Sequence, residues 1–172
     1  MRKRKIIFFM AVTLVFILFG SWYYFFAINK DINGLTKKDV WQAEKTLISY
    51  IDTLNLQEHD KGLTLLSKFY ADKKEDMQKM FELGSGIIYD DFQADYIEQS
   101  CKFNLGYMQE REQYAEYILD AKIVYFTCSF TVVARQEGSE LGSGYTANMK
   151  YEEFGYYLVK EQGQWKILSW GY

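Results

Sequence analysis

The chain has 172 residues but no proline, only two cysteines and a single histidine, His59. With one histidine and no Cys-x-x-Cys pair, the usual metal-ligand spacings are absent, so the sequence predicts no metal and no cofactor. The missing prolines and the lack of low-complexity stretches argue against a disordered stalk. No nucleophile constellation, phosphate-cradling glycine loop or catalytic pair stands out. We therefore predict a protein that is not an enzyme.

Charge is absent from the apolar run Ile6–Ile28, which directly follows the basic cluster of residues 2–5. As a helix this run would reach about 35 Å, whereas the hydrocarbon core of a bilayer is about 30 Å thick. It predicts a single transmembrane helix over residues 6–28, with the lipid bilayer as its partner. The basic cluster predicts a cytoplasmic tail, residues 1–5, a cell-membrane location and a C-terminal domain outside.

A cleaved signal peptide is the alternative interpretation of this run. Signal peptides have a shorter apolar core, of about 7–15 residues, followed by a small-residue cleavage site. Here the run ends in the aromatic cluster Trp22–Phe26, which is typical of a membrane interface. Leu18 and Phe19 would be poor cleavage-site residues, and no cysteine precedes Cys101 to accept a lipid. The pattern favours a retained signal-anchor.

The remainder of the chain predicts a short tether, residues 29–35, and one extracytoplasmic domain, residues 36–172. This part carries 16 basic and 23 acidic residues, a net charge of −7. Nucleic-acid binding needs a basic surface, so the charge argues against a nucleic-acid partner.

The period of the apolar residues divides the domain into helices and then strands. Thr36 and Asp39 predict a capping box before a helix that extends to Leu54, and a second helical pattern runs from Leu63 to Phe81. Beyond Gly86 the period changes to two, which predicts antiparallel strands. The expected fold class is α+β.

Two strands predicted from this alternation contain the two cysteines. One contains Cys101, Phe103, Leu105 and Tyr107 on one face, and the other spans residues 121–135. Pairing them places Cys101 opposite Cys128, either as two buried thiols or as a disulfide, and the sequence leaves the redox state open.

The C-terminal segment predicts a hairpin with a tight turn at residues 162 and 163. That turn pairs Leu158 with Ile167 and Tyr156 with Ser169. It also places Trp170 opposite Gly155.

Residues 49–67, SYIDTLNLQEHDKGLTLLS, and the closing hairpin YYLVKEQGQWKILSWGY resemble the nuclear transport factor 2-like superfamily. The resemblance covers nearly all of residues 36–172, although its motifs record only helix packing and a hairpin. It implies a cone-like fold in which two helices pack on a strongly bent antiparallel sheet. It also implies pairing through the convex sheet face or a ligand held inside the cone. The chain would be a small membrane-anchored bacterial member of uncharacterised type.

Two functions follow as hypotheses. The first is a non-catalytic protein-interaction domain, for example a scaffold subunit of an envelope or conjugation complex. Its protein partner or second copy would dock on aromatic side chains that face away from the helices. The interface candidates are Tyr125, Tyr157, Leu168 and Trp170.

The second hypothesis is a ligand-binding or enzymatic cone with Tyr107, Tyr156 and Asp120 in its pocket. The interior of the domain discriminates between the two hypotheses. A core filled by side chains favours the first, whereas an open cavity of a few hundred Å³ with convergent polar groups favours the second, according to the usual size of ligand pockets.

Overall fold

The computed structural model describes residues 2–109, 111–114, 118, 121–139, 141 and 144–171. These residues form an α+β fold with five α-helices and one antiparallel sheet in the order β1-β2-β3-β4. The helices are α1 (Arg2–Tyr23), α2 (Lys37–Asn55), α3 (His59–Thr64), α4 (Lys74–Leu83) and α5 (Glu98–Gln109). The strands are β1 (Ile87–Asp95), β2 (Ile123–Ala134), β3 (Met149–Glu161) and β4 (Gln164–Gly171).

The N-terminal helix does not support the predicted membrane span. α1 ends at Tyr23, where the π-helix Tyr24–Ile28 follows. Within the described residues, no helix is long and apolar enough to cross a membrane. The prediction of a transmembrane signal-anchor over 6–28, with a cytoplasmic N-terminus and an outer domain in the cell membrane, is therefore wrong.

Helix α2 begins and packs as its sequence predicts. The Thr36 hydroxyl accepts a hydrogen bond from the Asp39 backbone N–H (3.1 Å), and the Asp39 carboxylate accepts one from the Thr36 N–H (3.2 Å). This reciprocal pair confirms the capping box. The apolar stripe of α2 is buried against one face of the sheet, which we call the inner face. Its buried apolar residues are Ala43, Leu47, Tyr50 and Ile51.

The predicted tether packs against the domain. Leu35 is fully buried in the core, and the Asn33 amide donates to the Glu98 carbonyl at the start of α5 (3.0 Å). Residues 29–35 therefore hold α2 in place from its N-terminal side.

Strand β2 lies where the alternation predicts it, over Ile123–Ala134. Its five predicted inward positions are all buried, which confirms the assignment of its inner face. They are Val124, Phe126, Cys128, Phe130 and Val132.

The predicted strand around Cys101 is instead helix α5. Cys101, Leu105 and Met108 recur at the three- and four-residue spacing of one helical face, and this face packs against the rest of the domain. Phe103, on the opposite side of the helix, is 78% exposed. The predicted pairing of Cys101 with Cys128 is wrong because only Cys128 lies in a strand. Both are free buried thiols, and burial raises the pKa of each.

Helix α5 covers part of the opposite, outer face of the sheet, where Met108 packs in a cluster with Val159 and Leu168. Helices on both faces replace the predicted wrapping of the sheet around two helices. The sheet is not strongly curled, so the prediction of a strongly bent, cone-like sheet is wrong.

The C-terminal hairpin has the predicted turn, but its register differs from the prediction beyond the pair Leu158 and Ile167. Leu158 pairs with Ile167 as predicted, but a bulge follows and leaves Leu168 as the extra residue. Tyr156 consequently pairs with Trp170, and Gly155 with Gly171. A bulge reverses the alternation of faces beyond it. Trp170 therefore lies on the inner face.

Both edges of the sheet carry hydrogen bonds from the helical layer. At the β1 edge, the Asn55 amide group donates to the Tyr89 carbonyl (3.0 Å) and accepts from its N–H (2.8 Å). At the β4 edge, Ile167 donates to the Leu65 carbonyl and accepts from the Ser67 N–H, both at 2.8 Å. Residues 65–67 thus form a single parallel bridge alongside β4.

Candidate functional site

A cavity of about 660 Å³ lies between the inner face of the sheet and helices α2, α3 and α4. Most of its described lining is aromatic or aliphatic. We call it the aromatic cavity, and its lining residues are Tyr50, Leu54, His59, Met80, Phe81, Leu83, Gly84, Tyr89, Leu141, Tyr145, Tyr156 and Trp170.

Tyr50 is at the centre of the packing that shapes the cavity. Its ring lies 6.1 Å from Phe81, 6.5 Å from Tyr156 and 6.1 Å from Trp170, measured between centroids. Tyr50 reaches this position because it belongs to the buried stripe of α2, and Trp170 does so because of the bulge in β4. The wall therefore joins two helices, α2 and α4, to two strands, β3 and β4, through contacts between rings.

Four tyrosines line the cavity, one each from α2, β1, the segment between β2 and β3, and β3. Burial raises the pKa of Tyr50, Tyr89 and Tyr156, and the electrostatic influence of neighbouring tyrosines raises each further. The Tyr89 and Tyr145 side chains also share a hydrogen bond. At neutral pH, the three hydroxyls with raised pKa values are uncharged groups that can donate and accept hydrogen bonds.

Formal charge is scarce in the cavity. Apart from the tyrosines, His59 is the one ionisable side chain among the described lining residues, and its ring lies 6.0 Å from that of Phe81. In the described part of the chain, no group of three or more His, Cys, Asp or Glu side chains could hold a metal ion. The lining suits an uncharged, mainly apolar ligand.

The structure brings one of the three predicted pocket residues to the cavity. Tyr156 lines it, which confirms the predicted inward orientation of this residue. Tyr107 lies on the exposed side of α5, where its hydroxyl accepts a hydrogen bond from Arg111 Nη2 (3.1 Å), so its predicted inward position is wrong. Asp120 lies outside the described residues.

The sequence-based reasoning missed Tyr50, Tyr89 and Tyr145. Tyr50 had a usable signal, because it is a tyrosine within an otherwise aliphatic helical stripe and buried tyrosines need a partner for the hydroxyl. Tyr89 and Tyr145 follow glycine-containing turns and have no comparable local signal.

The four interface candidates are divided between the two faces. Leu168 is 0% exposed beneath α5, and Tyr125 is buried with its ring 4.8 Å from that of the half-buried Tyr157. Trp170 is half-buried on the inner face, in the aromatic cavity. Tyr114, in the 3-10 helix Glu112–Tyr114, also reaches the outer side of β4. These positions do not form one exposed surface.

Comparisons of this chain with protein-family models, with curated proteins and with solved structures found no match, so the resemblance to the nuclear transport factor 2-like superfamily stays a prediction.

Proposed function

We propose that this protein binds a small, uncharged and largely apolar molecule in the aromatic cavity, without catalysing a reaction on it. One observation carries the proposal: an open cavity of about 660 Å³ is walled by aromatic rings and contains tyrosine hydroxyls. Ligand pockets of proteins usually measure about 300–1,000 Å³ and combine an apolar lining with a few polar groups. The hydroxyls would orient the ligand by bonding to its acceptor group.

Binding without catalysis is favoured by the composition of the lining. A general acid–base mechanism needs a side chain that exchanges a proton at the working pH within hydrogen-bond reach of the reacting atoms. The described lining contains no carboxylate, lysine or cysteine, and burial raises the pKa of the tyrosines Tyr50 and Tyr156. The hypothesis of a protein-interaction domain has less support, because Leu168 and Tyr125 are buried and Trp170 lies on the inner face.

Filling the cavity should abolish most of the binding of an apolar probe. A β-carbon added at Gly84 would meet no atom within 4 Å, and Gly84 has an ordinary negative φ, so Gly84→Trp places its ring at the cavity without backbone strain. We expect N-phenyl-1-naphthylamine, a neutral apolar dye, to gain fluorescence with the native chain. Its affinity should fall about tenfold or more in the variant, equivalent to about 1.4 kcal/mol, because the indole ring would occupy space that the dye needs.

Gly106→Trp is the matched control, because Gly106 lies on the exposed side of α5 and has equal space around it. It should leave dye binding unchanged. Failure of the native chain to bind the dye, or equal losses in the two variants, would contradict a ligand-binding cavity.

Removing one cavity hydroxyl should weaken a ligand that carries an acceptor. Tyr156→Phe should lower the affinity of 6-propionyl-2-dimethylaminonaphthalene, a neutral dye with a carbonyl group, about fivefold, the equivalent of one hydrogen bond of about 1 kcal/mol. The affinity of N-phenyl-1-naphthylamine, which has no carbonyl, should hardly change. Tyr107→Phe on the surface of α5 is the control for both dyes. Equal effects of Tyr156→Phe on the two dyes would show that its hydroxyl does not bond to the ligand.

A further inference from the structure

A second concave site lies at the start of α2, away from the aromatic cavity. It measures about 590 Å³ and takes side chains from the segment before α2, from α2 itself, and from the neighbouring ends of β2 and β3. We call it the lysine groove. The charged residues that line it are Lys30, Lys38, Lys122, Lys160 and Asp39.

The charge of the lysine groove is opposite to that of the whole chain. Four lysines and one aspartate line it, although the protein carries a net charge of −3. Solvated surface charge usually mixes both signs. A concave region with one dominant sign concentrates the electrostatic potential and attracts ions of the opposite charge.

The single acid in the groove is already engaged. The Asp39 side chain is almost fully buried and accepts hydrogen bonds from Lys122 Nζ (2.7 Å) and Lys160 Nζ (2.9 Å). It also accepts two from Thr36, through the backbone N–H (3.2 Å) and the hydroxyl (2.9 Å). With its charge compensated in this way, Asp39 opposes an incoming anion only weakly.

The same bonds hold two ammonium groups in place at the groove. A lysine ammonium has three N–H donors, so Lys122 and Lys160 each keep two after bonding to Asp39. Their side chains remain 41% and 24% exposed. Side chains that are already fixed lose less conformational entropy when a ligand binds. The groove thus presents two positioned cations and, from Lys30 and Lys38, two more on exposed side chains.

We infer that the lysine groove binds a polyvalent oxyanion of the phosphate class, either as a free ion or as the headgroup of a phospholipid. Lysine is a common binder of phosphate groups and acts as a point charge, so it does not require one fixed geometry of the anion. Several ammonium groups around one groove match an anion with more than one charge. The lysine groove shares no lining residue with the aromatic cavity, so this inference is independent of the proposed function.

Titration of inorganic pyrophosphate into the full chain tests the inference by calorimetry. Lys30 and Lys38 do not contribute to the hydrogen bonds that Asp39 accepts, so the double variant K30Q/K38Q preserves those bonds. We expect it to bind pyrophosphate about tenfold more weakly, a change equivalent to about 1.4 kcal/mol. The control K79Q/K102Q removes the same charge from exposed positions outside the groove and should bind like the native chain.

Vesicles distinguish the two sources of the anion. If the occupant is a lipid headgroup, the full chain should co-sediment with vesicles that contain phosphatidic acid more strongly than with pure phosphatidylcholine. The excess should fall in K30Q/K38Q and persist in K79Q/K102Q. Pyrophosphate binding lost only in K30Q/K38Q, without an excess on phosphatidic acid, supports a free anion. Equal losses in both double variants, or binding of neither probe, would overturn the inference.

Discussion

Replacing Phe130 by alanine should lower the free energy of unfolding by about 4 kcal/mol, as expected for a large aromatic residue removed from a core. Phe130 is 1% exposed. Its ring centroid lies 5.1 Å from Tyr89, 5.6 Å from Tyr151 and 5.5 Å from Phe154. Because these rings come from two other strands, they cannot collapse together into the space that Phe130 leaves. Urea denaturation of the native chain and the variant measures the change.

Phe103→Ala provides the matched control for this substitution. Phe103 is 78% exposed on α5, so its truncation should change the stability by less than about 0.5 kcal/mol. Phe130 also contacts Tyr89, which lines the aromatic cavity, so Phe130→Ala should weaken dye binding even where the variant remains folded. Equal destabilisation by the two substitutions would contradict the assignment of Phe130 to the core.

Replacing Asp39 by asparagine should lower the free energy of unfolding by about 2 kcal/mol at pH 7, less than for a fully buried ion pair because Lys122 and Lys160 remain partly exposed. Asparagine has nearly the same shape, but it leaves the ammonium groups of Lys122 and Lys160 without their shared anion. It also weakens the capping box with Thr36. Asp52→Asn, at an exposed position of the same helix, is the control and should have little effect.

The effect of Asp39→Asn should depend on pH. Burial raises the pKa of Asp39, but hydrogen bonds from Lys122, Lys160 and Thr36 outweigh burial and hold this pKa well below its usual range. Because the carboxylate is more acidic in the folded state, its contribution to stability is present above the unfolded pKa of about 4 and declines as the pH falls below that value. The stability difference between native chain and variant should therefore shrink in acid. A constant difference between pH 7 and pH 3 would contradict this role of the ion pair.

Local patterns predicted the elements whose signals are confined to a few neighbouring residues. The capping box of α2 needs only Thr36 and Asp39, and the inner face of β2 follows from strict alternation. Helix α5 was predicted as a strand because residues 98–109 carry apolar side chains at both two- and four-residue spacing. Only the burial of these side chains in the folded domain distinguishes a helix from a strand here. The turn at residues 162 and 163 predicted the register of the hairpin only as far as the bulge at Leu168.

The candidate sites were harder to predict than the elements that build them. Tyr156 could be placed by strand alternation, but the aromatic cavity also needs Tyr50 from α2 and Tyr145 from the segment between β2 and β3. The lysine groove similarly joins Lys38 to Lys160, residues far apart in the chain. Such residues come together only through tertiary packing, and the periodicity of a single segment does not predict which segments will be neighbours.

The bonds at the two sheet edges limit how another polypeptide can associate with this fold. A peptide that adds to a sheet as an extra strand needs free backbone donors and acceptors along an edge. Asn55 occupies both backbone groups of Tyr89 on one edge, and residues 65–67 occupy those of Ile167 on the other. An added strand would have to displace the end of α2 or the segment that follows α3. The folded chain is thus protected at both positions against the edge-to-edge pairing that starts β-aggregation.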